Sequence, residues 1–463
     1  MDQTSIERLK DYLAQLPPKS QALLMREFQR AAERGEDAAV ANLVLGELRR
    51  IVRRSDDSEQ RSEDPARHLF RPLDPFLVED GVALRPGQIR RTSLMPVWQW
   101  LAREGASDAA RAFEAVLANQ TGSASEIEAA ARTFQPVAAA AIQRILTDRS
   151  DLDRQRALGR IGAPSVVEDL AAIGAVLNAR DALDTLNIRL PSFLRVFGES
   201  QIATVMTALN APSLQTPLAL PFALSLVMQR LSASWQIIRL AIRVAGSDDE
   251  IRVAATPYGV AIKMALDDLS QISAVLRADI RRGRFENVSQ HLKTLHDGVR
   301  GLRTELDIRA DSNWGRQLAA IRVVTSEALQ SEIESVSGRV RRLLRQRPDK
   351  DIPSGAQLDA IEVEETAALI DFVAVCRTYA SELAINEVTM RTYSDLQHYV
   401  ERGAETLVES LRSGDERVRA FRQQQVKAAI RFCEVLFGQD YSSMMSRAAD
   451  HALTVERKSS RAG

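Results

Sequence analysis

The sequence is short of the residues that stabilise or activate many other folds. Its 463 residues contain two cysteines and 5% aromatic side chains. Two cysteines in a chain of this length exclude a disulfide framework, and reduced thiols are expected. Because strands draw on aromatic and β-branched residues, the low aromatic content favours helix over sheet. Cys376 and Cys433 stand among apolar neighbours inside helical patterns, where burial keeps a thiol unreactive.

Neither sign of charge is in excess. The chain has 61 basic and 62 acidic side chains, and its formal net charge is −1. A protein that mainly coats nucleic acid carries a strong basic excess, so no nucleic-acid partner is expected. Residues 1–16 include acidic side chains and no apolar core, which predicts the absence of a secretion signal and a cytoplasmic location.

Long apolar runs are also scarce. The most apolar stretch, residues 217–228, is shorter than the ~20 residues that a membrane-spanning helix needs. We predict a buried central helix here. The alternative is a helix on a membrane face within residues 217–245, because Arg239 and Arg243 stand one turn apart.

Motifs for phosphate binding and nucleophilic catalysis are missing. Residues 159–165 (GRIGAPS) lack the lysine and the spacing of a phosphate-binding loop. Gly198-Glu199-Ser200 lacks the second glycine of a nucleophile elbow. The sequence therefore predicts no cofactor and no catalytic residue, although a site assembled from distant residues leaves no such motif.

The five histidines do not form a metal-binding pattern. His291 and His296 are five residues apart, which places them on different faces of a helix. Asp395 and His398 share a face, but a carboxylate-bridged two-metal bundle needs such a motif on two helices and two further carboxylates. Because a single motif of this kind is evident, surface or capping histidines are the preferred interpretation, and no metal is predicted.

Helical periodicity is what the sequence has in abundance. In residues 285–308 the apolar side chains are three and four residues apart, an average of about 3.5, which is the period of a helical seam. They are Phe285, Val288, Leu292, Leu295, Val299, Leu302 and Leu306. Such a seam must be covered by another helix, either from the same chain or from a second copy.

Two neighbouring stripes predict partners for this seam. Residues 259–282 and 314–343 also carry apolar side chains mainly at steps of three and four. We expect three long helices joined by short turns, each antiparallel to the next, so that the chain covers its own seam. The later stripe has a step of eight between Ile321 and Leu329, which predicts a local change in the supercoil.

Composition also divides the chain into regions. Hydrophobic residues are 45% and charged residues 27%, as in a typical globular protein. Residues 54–67 contain no large apolar side chain, which predicts a solvated linker. The predicted regions are a three-helix bundle at 1–53, a linker at 54–69, a middle helical domain at 70–256, long antiparallel helices at 257–347, a linker at 348–356 and a helical bundle at 357–455.

Two local features after the first linker are predicted as well. The proline-rich segment 70–81 is expected to be extended, and four apolar side chains are expected to pack on a neighbour: Phe70, Leu73, Phe76 and Leu77. Ser93 is expected to cap the short helix that follows it with its side chain.

One cluster of positive charge is a candidate interaction surface. It comprises Arg339, Arg341, Arg342, Arg345 and Arg347. Positive charge stabilises the last turns of a helix by ~0.3–1 kcal/mol per residue, and this effect alone accounts for the cluster. The functional interpretation is a contact for acidic protein, lipid headgroups or nucleic acid. The absence of interleaved aromatic residues disfavours single-stranded nucleic acid.

The predicted fold is all-α and multi-helical, with a small N-terminal bundle, a middle helical body and long antiparallel helices that pack like a coiled coil. The predicted function is that of a non-enzymatic scaffold or adaptor that contacts protein partners through helix faces; self-association stays open. Two alternatives remain. One is a peripheral membrane protein that uses residues 217–245 or the arginine cluster, and the other is an enzyme with a site in an all-α cavity.

Overall fold

The protein is built almost entirely of helices. The computed structural model describes residues 64–79, 84–118, 123–147, 151–285, 287–353, 355–412 and 418–459. In these ranges it contains 17 α-helices and one parallel pair of two-residue strands, so the all-α, multi-helical prediction is confirmed. The predicted three-helix bundle at 1–53 and most of the predicted linker at 54–69 lie outside the described residues.

The described residues form two compact units. The first ends at residue 184, and the second comprises residues 85–87 and the described chain from residue 185 onward. The first unit contains the strands β1 (Leu77–Val78) and β2 (Ile89–Arg90). Its helices are α1 (Pro65–Phe70), α2 (Leu94–Trp100), α3 (Ser107–Ala118), α4 (Ala124–Thr147), α5 (Asp151–Gly159) and α6 (Pro164–Arg189), whose last residues belong to the second unit.

The other eleven described helices belong to the second unit. They are α7 (Glu199–Leu209), α8 (Leu220–Met228), α9 (Ile238–Ala245), α10 (Glu250–Ala254), α11 (Val260–Arg281), α12 (Val288–Glu305), α13 (Asn313–Leu343), α14 (Ala360–Tyr379), α15 (Asn386–Ser410), α16 (Arg419–Phe437) and α17 (Gln439–Ser459).

An aromatic cluster lies in the core of the first unit. Trp98 of α2 meets Phe113 of α3 and Phe134 of α4 edge to face, with ring centroids 6.3 and 6.0 Å apart. The two phenylalanine rings are 5.9 Å apart, and all three side chains are buried. Edge-to-face contact is a favoured geometry for aromatic rings, so the cluster stabilises the packing of α2, α3 and α4.

The proline-rich segment is mostly helical, not extended as predicted. Asp64 caps α1 by accepting a hydrogen bond from the Ala66 N–H at 3.0 Å, and Pro65 occupies the first turn, where its missing N–H costs nothing. A 3-10 turn follows at Arg71–Phe76. The last residues of the predicted linker are therefore helical too. Of the apolar side chains that were predicted to pack, Phe70, Leu73 and Phe76 are buried and Leu77 is half-buried.

Ser93 does not cap α2 as predicted. Its hydroxyl donates instead to the carboxylate of Asp169 on α6, 2.7 Å away, and both residues are buried. The N–H and the guanidinium of Arg90 also donate to Asp169, at 3.1 and 3.0 Å. A buried carboxylate requires such donors, because leaving it unpaired is costly. The partner of Ser93 is 76 residues away, beyond the reach of a local capping pattern.

Residues 217–228 contain the buried helix that the sequence predicts. Nearly all of α8 is buried, while Arg239 of α9 donates to Glu305 and Arg243 lies 3.5 Å from Glu199. In the described ranges no single helix is long and apolar enough to cross a membrane. One bent pair, α5 from Leu152 together with α6, meets the length and composition requirement jointly.

The α12 seam is buried against other helices of the second unit. Its central members are fully buried: Leu292, Leu295, Val299 and Leu302. Gly298 lies against Leu269 of α11, which occupies the space that a side chain would need. Earlier on α12, His291 lies 3.6 Å from Asp279, which comes later on α11. The contacts run in opposite directions along the two helices, so α11 and α12 are antiparallel, as predicted.

The next helix, α13, runs parallel to α11 and keeps an unbroken buried stripe. Gln317 donates to Asp267 at 2.9 Å, and the Thr325 hydroxyl lies 2.7 Å from that of Ser273. Residue numbers increase in the same direction along both helices, so the helices are parallel. Thr325 is fully buried and lies in the gap of eight residues between Ile321 and Leu329. The buried stripe is therefore continuous, with a polar residue at this position. Coiled-coil packing, with its local change in supercoil, stays a prediction.

Helices on both sides of residues 348–356 pack together in the second unit. Helix α13 contacts α14 and α15, and α12 contacts α14. The two compact units divide near residue 184 and not near 256 or 348. Domain boundaries at 256 and 348 therefore stay predictions.

Candidate functional site

The five arginines at the end of α13 do not form one surface. Arg339 lies 3.7 Å from Glu365, and Arg342 pairs with Glu362. Both glutamates belong to the first turns of α14, where negative charge is also favoured by the helix dipole. Part of the predicted interaction patch is therefore neutralised within the chain. Its other members have different surroundings.

A groove of about 670 Å³ lies between the end of α13 and α15, and we name it the basic groove. The α13 side supplies Arg341, Leu344, Arg345 and Gln346. The α15 side supplies Asp395, His398, Tyr399, Arg402, Gly403 and Thr406. The groove brings together two features that the sequence analysis treated separately, the arginine cluster and the Asp395–His398 motif.

Three guanidinium groups give the groove its charge. That of Arg341 lies over the ring of Tyr399, 5.7 Å from its centroid, while Arg345 and Arg402 are exposed. Within the described residues, none of these three arginines forms an ion pair with a carboxylate. The groove is lined by three guanidinium groups and one carboxylate, that of Asp395, so its arginines outnumber its carboxylates by two.

Two buried side chains of α16 hold the end of α13 in place. Gln425 donates from Nε2 to the carbonyls of Leu343 and Arg345, at 3.1 and 3.0 Å. Arg422 donates to the carbonyl of Arg347. The Leu343 carbonyl is the last of α13 and has no partner within the helix, so the bond from Gln425 satisfies it, while Arg345 and Arg347 follow the end of the helix. These bonds also fix the backbone that carries the groove arginines.

Two further carboxylates on this part of α15, those of Glu401 and Glu405, influence groups on α16 and α17. Burial, and then the charge of Glu401, raise the pKa of the Cys433 thiol on α16 to about 12. Burial raises the pKa of Tyr441 on α17, with further contributions from the charges of Cys433, Glu401 and Glu405. Neither glutamate lines the basic groove, where Asp395 is the lining carboxylate.

Asp395 and His398 are both exposed on the α15 side of the groove. The His398 Nδ1 lies 2.8 Å from the carbonyl oxygen of Ser394, one turn earlier on the helix. The hydrogen-bond partner of this nitrogen is therefore Ser394 and not Asp395. An acid–base pair needs a hydrogen bond between its members or to a substrate held by both. The geometry here supports a surface histidine, as the sequence analysis preferred.

The remaining groups with reactive side chains are separated from one another. Cys376 is buried, and burial raises the pKa of its thiol well above the usual range. His291 lies beside Asp279, whereas His296 packs on the ring of Tyr379 with centroids 5.5 Å apart. In the part of the chain that the structure describes, no group of three or more histidine, cysteine or acidic side chains is placed to hold a metal ion.

Six of the groove's lining residues were not identified from the sequence, among them Tyr399 and Arg402. Asp395, Tyr399, Arg402 and Thr406 follow one another at steps of four, three and four, so they share one face of α15. This polar stripe is the sequence pattern from which Tyr399 and Arg402 could have been identified. The spacing alone does not show which other helix the stripe faces.

Comparison with known proteins assigns no family. No family model, no curated protein and no solved structure matches the chain. The function must therefore be inferred from the geometry of the described residues.

Proposed function

We propose that this protein is a non-enzymatic adaptor that binds an acidic segment of a partner protein in the basic groove. The supporting observation is the meeting of Arg341, Arg345 and Arg402 without a carboxylate partner among the described residues. On the same helix, Arg342 is neutralised by Glu362. A cluster that the chain leaves unneutralised attracts ligands of opposite charge.

The groove offers donors of the right kind for carboxylates. A guanidinium group is planar and can donate two parallel hydrogen bonds to one carboxylate. The Tyr399 ring adds an aromatic surface under Arg341. Exposed ion pairs are each worth about 0–1 kcal/mol, so three of them give weak, reversible and salt-dependent binding. Such binding suits an adaptor that exchanges partners.

The two walls of the groove also impose a direction on a bound segment. Arg345 lies on the α13 side, whereas Asp395 lies on the α15 side with Arg402. A bound segment with one basic residue among its acidic ones would place that residue at Asp395. Free, buried thiols at Cys376 and Cys433 support the reducing, cytoplasmic setting that is part of this proposal.

The test uses a fluorescent peptide of alternating glutamate and glycine, and a lysine–glycine peptide of equal length as its counterpart. We expect the glutamate peptide to bind the full chain and to dissociate as salt is added, measured by fluorescence anisotropy. Arg341→Gln, Arg345→Gln and Arg402→Gln should each weaken binding roughly two- to five-fold, the range for exposed ion pairs.

Arg339→Gln and Arg342→Gln are matched controls, because they remove the same charge from the same helix but face α14. Both should leave the affinity unchanged. The proposal is wrong if the glutamate peptide does not bind at low salt, or if the controls weaken binding as much as the groove variants do.

A further inference from the structure

Three strongly exposed apolar side chains lie within residues 188–196, which we name the Phe193 segment. Ile188 is 83% accessible, Phe193 60% and Val196 65%. Single apolar residues on a surface are ordinary, but several in one short segment mark a contact surface. All three belong to the second unit.

The exposure of these side chains is imposed by the fold. The Leu194 N–H donates to the carbonyl of Arg230 at 2.6 Å, and the Leu194 carbonyl accepts from the Ser232 N–H at 3.0 Å. The side chains of Leu194 and Phe197 are buried. Since the backbone is held on both sides of Leu194, Phe193 is fixed with its ring toward solvent.

Positive charge accompanies the apolar side chains. Arg189 and Arg195 are exposed, and neither forms an ion pair with a carboxylate in the described part of the chain. Arg230 donates to the side-chain amide of Asn187, a neutral partner, at 2.5 Å. The Phe193 segment itself contains no acidic residue.

We infer that the Phe193 segment docks on an anionic lipid surface. An aromatic and two aliphatic side chains can enter the boundary between headgroups and acyl chains, while arginines beside them pair with anionic headgroups. This is the combination that Phe193, Val196, Ile188, Arg189 and Arg195 present. The Phe193 segment does not include α8, which is buried.

A lipid surface fits this segment better than a protein partner does. A stable protein interface buries on the order of 1,000 Å² or more and centres on side chains that fill pockets. The cavity next to the segment is lined from Phe197 onward and includes none of the three exposed apolar side chains. A lipid surface needs no complementary pocket, and its negative charge complements Arg189 and Arg195.

The test is flotation of the full chain with two kinds of vesicle, phosphatidylcholine alone and phosphatidylcholine mixed with phosphatidylserine. We expect binding to the mixed vesicles at low salt and little binding to the neutral ones. Phe193→Ser should weaken binding roughly tenfold or more, because a buried aromatic contact is lost. Arg195→Gln should weaken it roughly five-fold, the effect of one basic residue near the surface.

Two controls match these changes at exposed positions elsewhere in the second unit. Ile361→Ser removes an exposed aliphatic side chain from α14, and Arg316→Gln removes an exposed arginine from α13. Both should bind vesicles like the unmodified protein.

A label at the segment tests insertion directly. Cys376 and Cys433 are buried and have raised thiol pKa values, so a Ser192→Cys variant, which keeps Phe193, should take up a polarity-sensitive fluorophore at the exposed residue 192 alone. We expect its emission to shift to shorter wavelength when mixed vesicles are added, and to stay constant with neutral vesicles.

Three results would overturn the inference. The first is no flotation with mixed vesicles at low salt, and the second is equal loss in the control and segment variants. The third is an emission shift that grows with protein concentration in the absence of vesicles, because the segment would then contact a second copy of the chain.

Discussion

The α12 seam and the basic groove lie in the same unit, but they differ in how much of their structure the sequence determines. The seam is a set of apolar side chains with one fate, burial, and their spacing alone specifies the face. The arginines at and just after the end of α13 all carry a positive charge, but their surroundings differ. Arg342 forms an ion pair with Glu362, whereas Arg345 lines the groove opposite α15. The spacing of apolar residues indicates which side chains are buried. Which partner an exposed charged side chain contacts depends instead on the helices that pack beside it.

The largest effect is expected from placing a charge in the seam. Leu295→Asp buries a carboxylate without a partner and should cost several kcal/mol, enough to unfold much of the second unit. Lys293→Asp, on the exposed side of the same helix, is the control. Circular dichroism melts should separate the two variants widely; similar melts would mean that the seam is not a packed core.

A smaller effect is expected where α12 and α11 approach most closely. Gly298→Ala would push its new methyl group into Leu269, and overpacking of this kind costs about 1–3 kcal/mol. Gly338→Ala on α13 is the control, because nothing surrounds that position, and it should stabilise the helix by about 0.5–1 kcal/mol. Denaturant unfolding should show opposite signs, and two effects of the same sign would contradict the close approach.

The buried hydroxyl pair is expected to behave as one unit. Thr325→Val leaves the Ser273 hydroxyl without its partner 2.7 Å away and should cost about 1–2 kcal/mol. The double variant Ser273→Ala/Thr325→Val removes both hydroxyls and should be less destabilised than the sum of the two single changes. Strict additivity in a double-mutant cycle would mean that the two groups do not interact.

The smallest effect on stability is expected at the exposed ion pairs. Arg342→Gln breaks the contact with Glu362 and should cost less than about 1 kcal/mol, and less again at high salt. Arg345→Gln should leave the melting temperature unchanged and weaken peptide binding instead. If Arg345→Gln lowered the melting temperature, Arg345 would contribute to the stability of the fold and not only to peptide binding.

The sequence predicts most of the helical framework and little of the polar structure within it. The apolar periods of 259–282 and 285–308 are helices α11 and α12, with their stripes buried. Thr325 was missed because a hydroxyl counts as polar in a periodic pattern, although it bonds back to the carbonyl of Ile321 at 2.7 Å and to Ser273. Such pairs depend on a second helix that local spacing does not include.

The local misses have the same origin. Prolines were taken as signs of extended chain in residues 70–81, whereas Pro72 lies at the start of a 3-10 turn and Pro75 within it. For the basic groove, the arginines of α13 were identified, while Arg402 was not, because it joins them only after α15 has packed on α13.

The bonds from Gln425 and Arg422 to the carbonyls at and just after the end of α13 have a consequence for shortened forms of the protein. A chain that stops before α16 would retain every arginine of the basic groove, yet the turn bearing Arg345 would lose the two side chains that tether it. If the proposed binding were lost in such a fragment, deletion mapping would assign it to α16, a helix that does not line the groove. Retaining α16 through residue 437 is therefore a condition for any truncated version intended to bind.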